Sequence, residues 1–274
     1  MTTRAERHPA APGSPGLYRL LAWLSPGFPI GSFSYSHGLE AAVAGGTVHD
    51  RASLETWTAA IVVYGSGRMD ADILRDSYRA ARAGDRAALD AANRRGVAFR
   101  ATAELALEAT QPGEAFLATC RAAWPEPFIE AWAEHLADPH PPIADAPGPP
   151  LSRIAGEGAE RSEAGEGFGY RTAPEEVCHS AVFGAVAARA GIALADALVG
   201  YLQALAANLV SAGLRLGIIG QTDGQRILSA LEPLVAGAVA AATARDPGDF
   251  GAATFAIDLA SMAHETQYTR LFRS

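Results

Sequence analysis

Apolar residues recur along most of the chain at intervals of three and four, the spacing of one helix face, and they are interrupted by glycine and proline. Leu17, Leu20, Leu21 and Leu24 predict a short amphipathic helix that stops at Trp23 or Leu24, because Pro26, Gly27, Pro29 and Gly31 follow. Ser34 is a candidate N-cap for a helix from Tyr35 to Ala44, halted by Gly45-Gly46, which would put His37 and Glu40 three apart on one face. Asp50 caps a stronger pattern, Leu54, Trp57, Ile61 and Tyr64, closed by Gly65 and Gly67. Met69 to Ala83 and Arg86 to Thr110 predict two more helices, and Pro112 is expected to kink or break the second.

The pattern resumes at Glu175, stops at Gly191, and gives its longest stripe at Leu194, Leu198, Tyr201 or Leu202, Leu205, Leu209 and Leu216. Ala204, Ala206, Ala207, Ala212 and Gly213 surround that stripe, so the helix is expected to be central, with Asn208 as a satisfied core amide. Thr222 and Gln225 have the form of a capping box ahead of Ile227, Leu228, Leu231, Leu234 and Val235. A last helix is expected from Thr254 to His264. No run alternates long enough for a sheet, so the expected fold is all-α, a single-domain bundle of roughly ten helices.

Two stretches do not fit the bundle. Residues 1–16 are polar and proline-rich, with no apolar core of a secretory signal, and are expected to be a disordered arm ahead of the helical domain at 17–274. Residues 139–172 are rich in Pro, Gly, Ala and Glu, with the near-repeat AGEGAERSEAGEGF. Such composition cannot offset its ordering entropy, so a disordered insertion is expected there.

Composition narrows the function classes. A net charge of −8 argues against a nucleic-acid footprint. Cys120 and Cys178 form no disulfide framework, which suits a reducing, cytoplasmic setting. Charged and amide residues interrupt the apolar stretch 177–220, so it reads as buried helix rather than a membrane span. The chain has no lysine. A Walker-type phosphate loop and Schiff-base chemistry both need one, so the protein is not itself a P-loop NTPase.

Candidate catalytic groups are poor. Ser34 and Ser36 beside His37 lack a nucleophile elbow and an orienting carboxylate, and the adjacent pairs Cys178-His179 and His264-Glu265 point about 100° apart on a helix. His37 and Glu40 read either as a hydrogen-bonded pair or as part of a metal site completed from elsewhere. Three polar motifs, at 25–40, 220–226 and 264–273, carry more Gln, Thr, Tyr, His and Arg than helix boundaries require and suit a protein partner.

SPGFPIGSFSYSHGLE at 25–40, TAELALEATQPG at 102–113, LVSAGLRLGIIGQTDGQRIL at 209–228 and DLASMAHETQYTRLFRS at 258–274 together resemble the UreF family of urease accessory proteins. The resemblance implies a non-enzymatic, cytoplasmic, homodimeric chaperone with no intrinsic cofactor. It would join UreD and the GTPase UreG to deliver nickel to apo-urease, without nucleic acid or membrane. It also implies partner-binding roles for Tyr35, His37, Glu40, Gln221, Thr222, Asp223, Gln225, Arg226, His264, Glu265, Gln267, Tyr268, Arg270 and Phe272. No firm metal site follows; His37, Glu40, His264 and Glu265 are candidates for transient nickel passage. The chain departs from the family at Ala263, where a basic residue is common, at Pro112 inside the Gln-x-Gly segment, and in the 139–172 stretch. Two other readings compete: a regulator of the UreG GTPase acting through Arg226 or Arg270, and an unrelated helical hydrolase using Ser36 and His37.

Overall fold

The computed structural model describes residues 15–137 and 176–274. Among them are eleven α-helices, one 3-10 turn at Ser32–Ser34 and no strand, so the fold is all-α. In chain order the helices are α1 Pro15–Trp23, α2 Leu39–Ala44, α3 Arg51–Tyr64, α4 Ser66–Ala83, α5 Arg86–Ala98 and α6 Ala103–Ala123. They continue with α7 Pro127–Ala137, α8 His179–Arg189, α9 Leu194–Arg215, α10 Gln221–Ala244 and α11 Phe255–Glu265. The predicted insertion at 139–172 and most of the predicted N-terminal arm lie outside the described residues; Pro15 and Gly16 of that arm begin α1.

α8 is the centre of the bundle. Every residue from Ser180 to Ala188 is buried, as a helix apolar all round requires. It packs on α4 through Gly184, where an added Cβ would sit 2.4 Å from the Leu74 carbonyl oxygen. Only hydrogen fits at that crossing. α4, α5, α6, α7 and α9 surround α8, and α9 in turn packs on α10, α3 and α4. Trp23 of α1 stands edge-on to Phe116, Trp124 and Phe183 at 5.9–6.4 Å, geometry that adds roughly 0.5–1.5 kcal/mol per pair beyond area burial.

One buried ionic network ties α4 to the end of α10. Arg75, 1% exposed, donates to Asp72 and Asp76 and to the Ala242 carbonyl, while Arg245 Nη1 donates to both Asp72 oxygens at 2.7 and 2.8 Å. Each carboxylate thus meets a guanidinium, the condition under which buried charge is tolerated.

Several local expectations need correction. Arg86 to Thr110 is two helices, because Thr102 caps α6 by accepting the Leu105 N–H at 3.1 Å. α6 runs through Pro112 to Ala123; the proline is buried in its middle, forfeiting one backbone donor without ending the helix. α3 and α4 are divided by Gly65 alone, and α4 starts at Ser66 with Gly67 inside it. In the Leu17–Leu24 stripe, Leu20 is buried whereas Leu17 and Leu21 face out. The 222–225 capping box does not form: α10 begins at Gln221 behind Gly220, with no side-chain cap, so Thr222 and Gln225 lie inside the helix. Asn208 is half-buried rather than central, and its amide is satisfied by donating to the Tyr35 carbonyl at 3.2 Å. By length and composition α9 and α10 are apolar enough to cross a membrane; the inner face of each is packed in the bundle.

Candidate functional site

Residues 32–40 do not make the helix expected from Tyr35 onward. A 3-10 turn gives way to extended Tyr35, and then His37 and Gly38 both take left-handed backbone geometry, with φ of 58° and 73°. His37 is the only non-glycine residue with positive φ among those described, a conformation kept only where surroundings enforce it. Gly38 is needed for a second reason: a Cβ there would lie 2.8 Å from the Ser261 backbone nitrogen. The double turn therefore presses the start of α2 onto α11 and separates His37 from Glu40. They do not share a helix face.

Glu40 points into the interior and meets the segment after α11. Its Oε1 accepts the Leu271 N–H at 2.7 Å and its Oε2 the Phe272 N–H at 2.9 Å. Oε2 also lies 3.1 Å from His264 Nε2, and on the other side of the ring His264 Nδ1 lies 2.7 Å from Glu104 Oε2. Glu104 Oε1 then accepts from Arg270 at 2.7 Å. His264 is completely buried between two carboxylates, and each of its ring nitrogens lies within hydrogen-bond distance of one of them. Two carboxylates, one imidazole and one guanidinium form the cluster.

His37 faces the other way. Its Nε2 lies 3.0 Å from Ser66 Oγ at the head of α4, and its Nδ1 lies 3.2 Å from Glu108 Oε2 but off the line that a hydrogen bond needs. Ser36, the partner suggested by sequence, is instead engaged with Ser274: its N–H donates to the Ser274 carbonyl at 2.8 Å and its hydroxyl donates to the same oxygen. Ser274 Oγ donates to Glu108 Oε2 at 2.9 Å. Arg273 completes the seam, its N–H on the Ser34 carbonyl at 2.8 Å and its guanidinium on Gln111, which also accepts from Tyr35.

Behind this seam lies a cavity of about 550 Å³, roofed by the Pro/Gly loop 25–33 and reaching His37, Ser66, Glu108, Asp70, Arg100 and His179. Burial pulls the Arg100 guanidinium down, but Asp70 at 2.7 Å and Cys178 at 3.3 Å outweigh it and hold its pKa above the usual range. Burial pushes His179 down to about 4, so its ring is neutral at pH 7. Its Nε2 and the Nε1 of Trp23 are buried without a hydrogen-bond partner. Burial also raises the Tyr201 hydroxyl, which faces Asp70, and the Asp258 carboxyl, which faces His37.

With this geometry in hand, comparison with known proteins is informative. The UreF family model matches residues 48–232. A urease accessory protein UreF of Azorhizobium caulinodans is 40% identical over 260 residues, covering 95% of this chain and 96% of its own length. UreF of Granulibacter bethesdensis is 41% identical, covering 96% and 95%, and UreF of Rhodopseudomonas palustris strain HaA2 is 42% identical, covering 94% and 93%. The chain belongs to the UreF family of urease accessory proteins. Its relatives are named as accessory proteins rather than as an enzyme.

In this UreF-family chain two of the three polar motifs meet. Tyr35, Glu40, His264, Arg270 and Phe272 converge with Glu104 and Gln111 of the 102–113 segment, whose Glu104, Glu108 and Gln111 recur at i, i+4 and i+7 on one face of α6. That spacing is a signal the sequence itself carries. Ser66, Asp70, Arg100 and Ser274 carried no local signal. Glu265 sits apart, its carboxylate accepting the Ala103 N–H at 2.9 Å, while Gln267 bonds the Thr269 carbonyl and Tyr268 is fully exposed. Gln221, Thr222, Gln225 and Arg226 are exposed on the first turns of α10, with Arg226 paired to Asp223 at 2.9 Å, and no hydrogen bond among the described residues joins them to the other two motifs. No group of three or more His, Cys, Asp or Glu arranged to hold a metal is present among the described residues.

Proposed function

We propose that this chain serves urease maturation as the UreF component of a UreD–UreF–UreG complex that inserts nickel into apo-urease, coupled to GTP hydrolysis by UreG. It acts in the cytoplasm as a homodimer, holds no cofactor of its own and handles nickel only in transit. Near-full-length similarity to UreF proteins supports this reading. The observation that carries it within the molecule is the joining of residues 34–40 to residues 264–274 into one seam, with Phe33, Tyr268 and Leu271 projecting outward beside it. Exposed aromatic and aliphatic anchors around a polar frame are the anatomy of a protein-docking surface.

The test is urease activity and urease-bound nickel in cells carrying the urease operon with this gene deleted and then restored. Both should fall on deletion and return on restoration. Urease that stays active and nickel-loaded without the gene overturns the proposal. Arg226, whose side chain is 63% exposed on the second turn of α10, favours the GTPase-regulating role as a second reading, because it can reach a partner's phosphates without unfolding anything. Stimulation of UreG turnover that is lost with Arg226→Ala supports that role; unchanged stimulation removes it.

A further inference from the structure

The cavity behind the seam is built like a small-molecule site. Its volume of about 550 Å³ falls within the roughly 300–1,000 Å³ of such sites, and aromatic side chains are prominent in its wall. Trp23, Phe28, His179, Phe183 and Tyr201 all line it. Trp23 and His179 stand edge-on to Phe183 at 6.4 and 6.2 Å, and Tyr201 lies 5.3 Å from His179 and 5.5 Å from Phe183. Ring faces and edges arranged in this way suit a flat aromatic guest. Two polar atoms on these rings are left over. Trp23 is 2% exposed, and its indole N–H, which can only donate, has no partner; His179 Nε2 has none either.

The charged side chains of the lining disfavour an ionic guest. They come in pairs, Asp70 with Arg100 at 2.7 Å and Glu108 with His37 at 3.2 Å. Asp70 also meets the Ser180 and Tyr201 hydroxyls, at 3.0 and 3.4 Å. An ion entering the chamber would leave water without finding an unmatched counter-charge, a cost that no lining residue offsets. What the chamber lacks is an acceptor for Trp23 and a partner for His179. A hydroxyl supplies both, since it accepts from the indole and can either donate to or accept from an imidazole nitrogen. Ser25, Pro26, Gly27 and Pro29 of the roof face solvent, so on that side a single loop lies between the chamber and bulk water. We propose that the chamber is a binding site for an uncharged, hydroxylated aromatic compound of one or two rings, packed against Phe28 and Phe183 with its hydroxyl on Trp23 Nε1 and His179 Nε2. This concerns a ligand of the chain itself and does not rest on the maturation reading.

The probe is 2-naphthol, which is uncharged at neutral pH. The full chain has four tryptophans, whose indole N–H signals in a ¹H–¹⁵N spectrum are separate reporters, with Trp23 identified through Trp23→Phe. Titration with 2-naphthol is expected to shift the Trp23 signal downfield and to saturate. Trp57, whose N–H is also unpartnered but which does not line the chamber, and Trp132, which donates to Asp90, should stay in place. Naphthalene, the same rings without the hydroxyl, should bind at least about tenfold more weakly, the worth of one net hydrogen bond, and the anion 2-naphthoate should not bind. Ala207 lines the chamber from α9, so Ala207→Phe places a ring inside it and should abolish binding while the urea midpoint still reports a folded protein. Should that variant fail to fold, Trp23→Phe decides: it should weaken 2-naphthol about tenfold and leave naphthalene unchanged. The proposal is overturned by a Trp23 signal that does not move up to the solubility limit of 2-naphthol, by a shift of Trp57 in its place, or by binding that survives Ala207→Phe in the folded protein.

Discussion

His264→Leu tests the energetic account of the clamp directly. Leucine fills most of the imidazole volume in a site with no exposure, so the cavity contribution is small and the loss falls on polar bonds. Two are removed, at 2.7 Å to Glu104 and 3.1 Å to Glu40, each between the imidazole and a carboxylate. A hydrogen bond to a charged group is worth roughly 1.5–3 kcal/mol, and breaking a buried pair by deleting one partner costs about 3–5 kcal/mol. Glu104 retains Arg270, and Glu40 retains two backbone N–H groups, which places the expected loss near the lower bound, about 3 kcal/mol. For a chain of this size that corresponds to a drop of about 6–12 °C in Tm. Urea unfolding monitored by tryptophan fluorescence should show the midpoint falling with the slope unchanged. A loss under about 1 kcal/mol would refute the reasoning, since exposed ion pairs already account for that much.

Gly184→Ala is expected to destabilise by about 1–3 kcal/mol or more, because its Cβ would lie 2.4 Å from the Leu74 oxygen and α4 and α8 must separate to admit it; urea unfolding measures this, and a neutral variant would show the crossing to be looser than described. His179 predicts an acid-side loss. Its folded-state pKa of about 4 lies below the ordinary histidine value of 6.5, so the unfolded chain binds the extra proton and stability falls as pH drops from 6.5 towards 4. The full contribution is at most about 3 kcal/mol, reduced by the partial exposure of the ring, and His179→Phe should flatten that part of the profile. Tyr268→Ala, at a fully exposed position, should change stability by less than about 0.5 kcal/mol yet lower urease activation in cells, which separates docking from folding.

Helices were legible wherever an apolar stripe and a cap coincided, as at Asp50, whose carboxylate accepts the Ser53 N–H at 2.8 Å in a full capping box. They were misdrawn where a tertiary contact overrides the local preference. Residues 35–37 have helix-compatible composition, but the seam with residues 273–274 takes their backbone groups and forces positive φ at His37. Pro112 is the converse case. Burial of its α6 face outweighs one missing N–H, so a residue that should break a helix sits inside one of 21 residues. The Thr222 capping box failed because Gly220 in extended geometry starts α10 two residues earlier.

The site was legible only in pieces, for a reason that lies in the chemistry of its connections. Its main links join residues 160 to 232 positions apart, His264 to Glu104 and Glu40, and Phe272 to Glu40. No local pattern encodes such a pairing. What the sequence did contain was an excess of polar groups at positions that the fold then buries: Glu40, Glu104 and His264 are each less than 9% exposed. Buried charge is destabilising unless partnered, so three such residues on three different helices already require one another. The same requirement explains why residues 270–272 meet the bundle through polar bonds: Glu40 accepts the Leu271 and Phe272 N–H groups and Glu104 the Arg270 guanidinium, so the segment supplies donors that two buried carboxylates need.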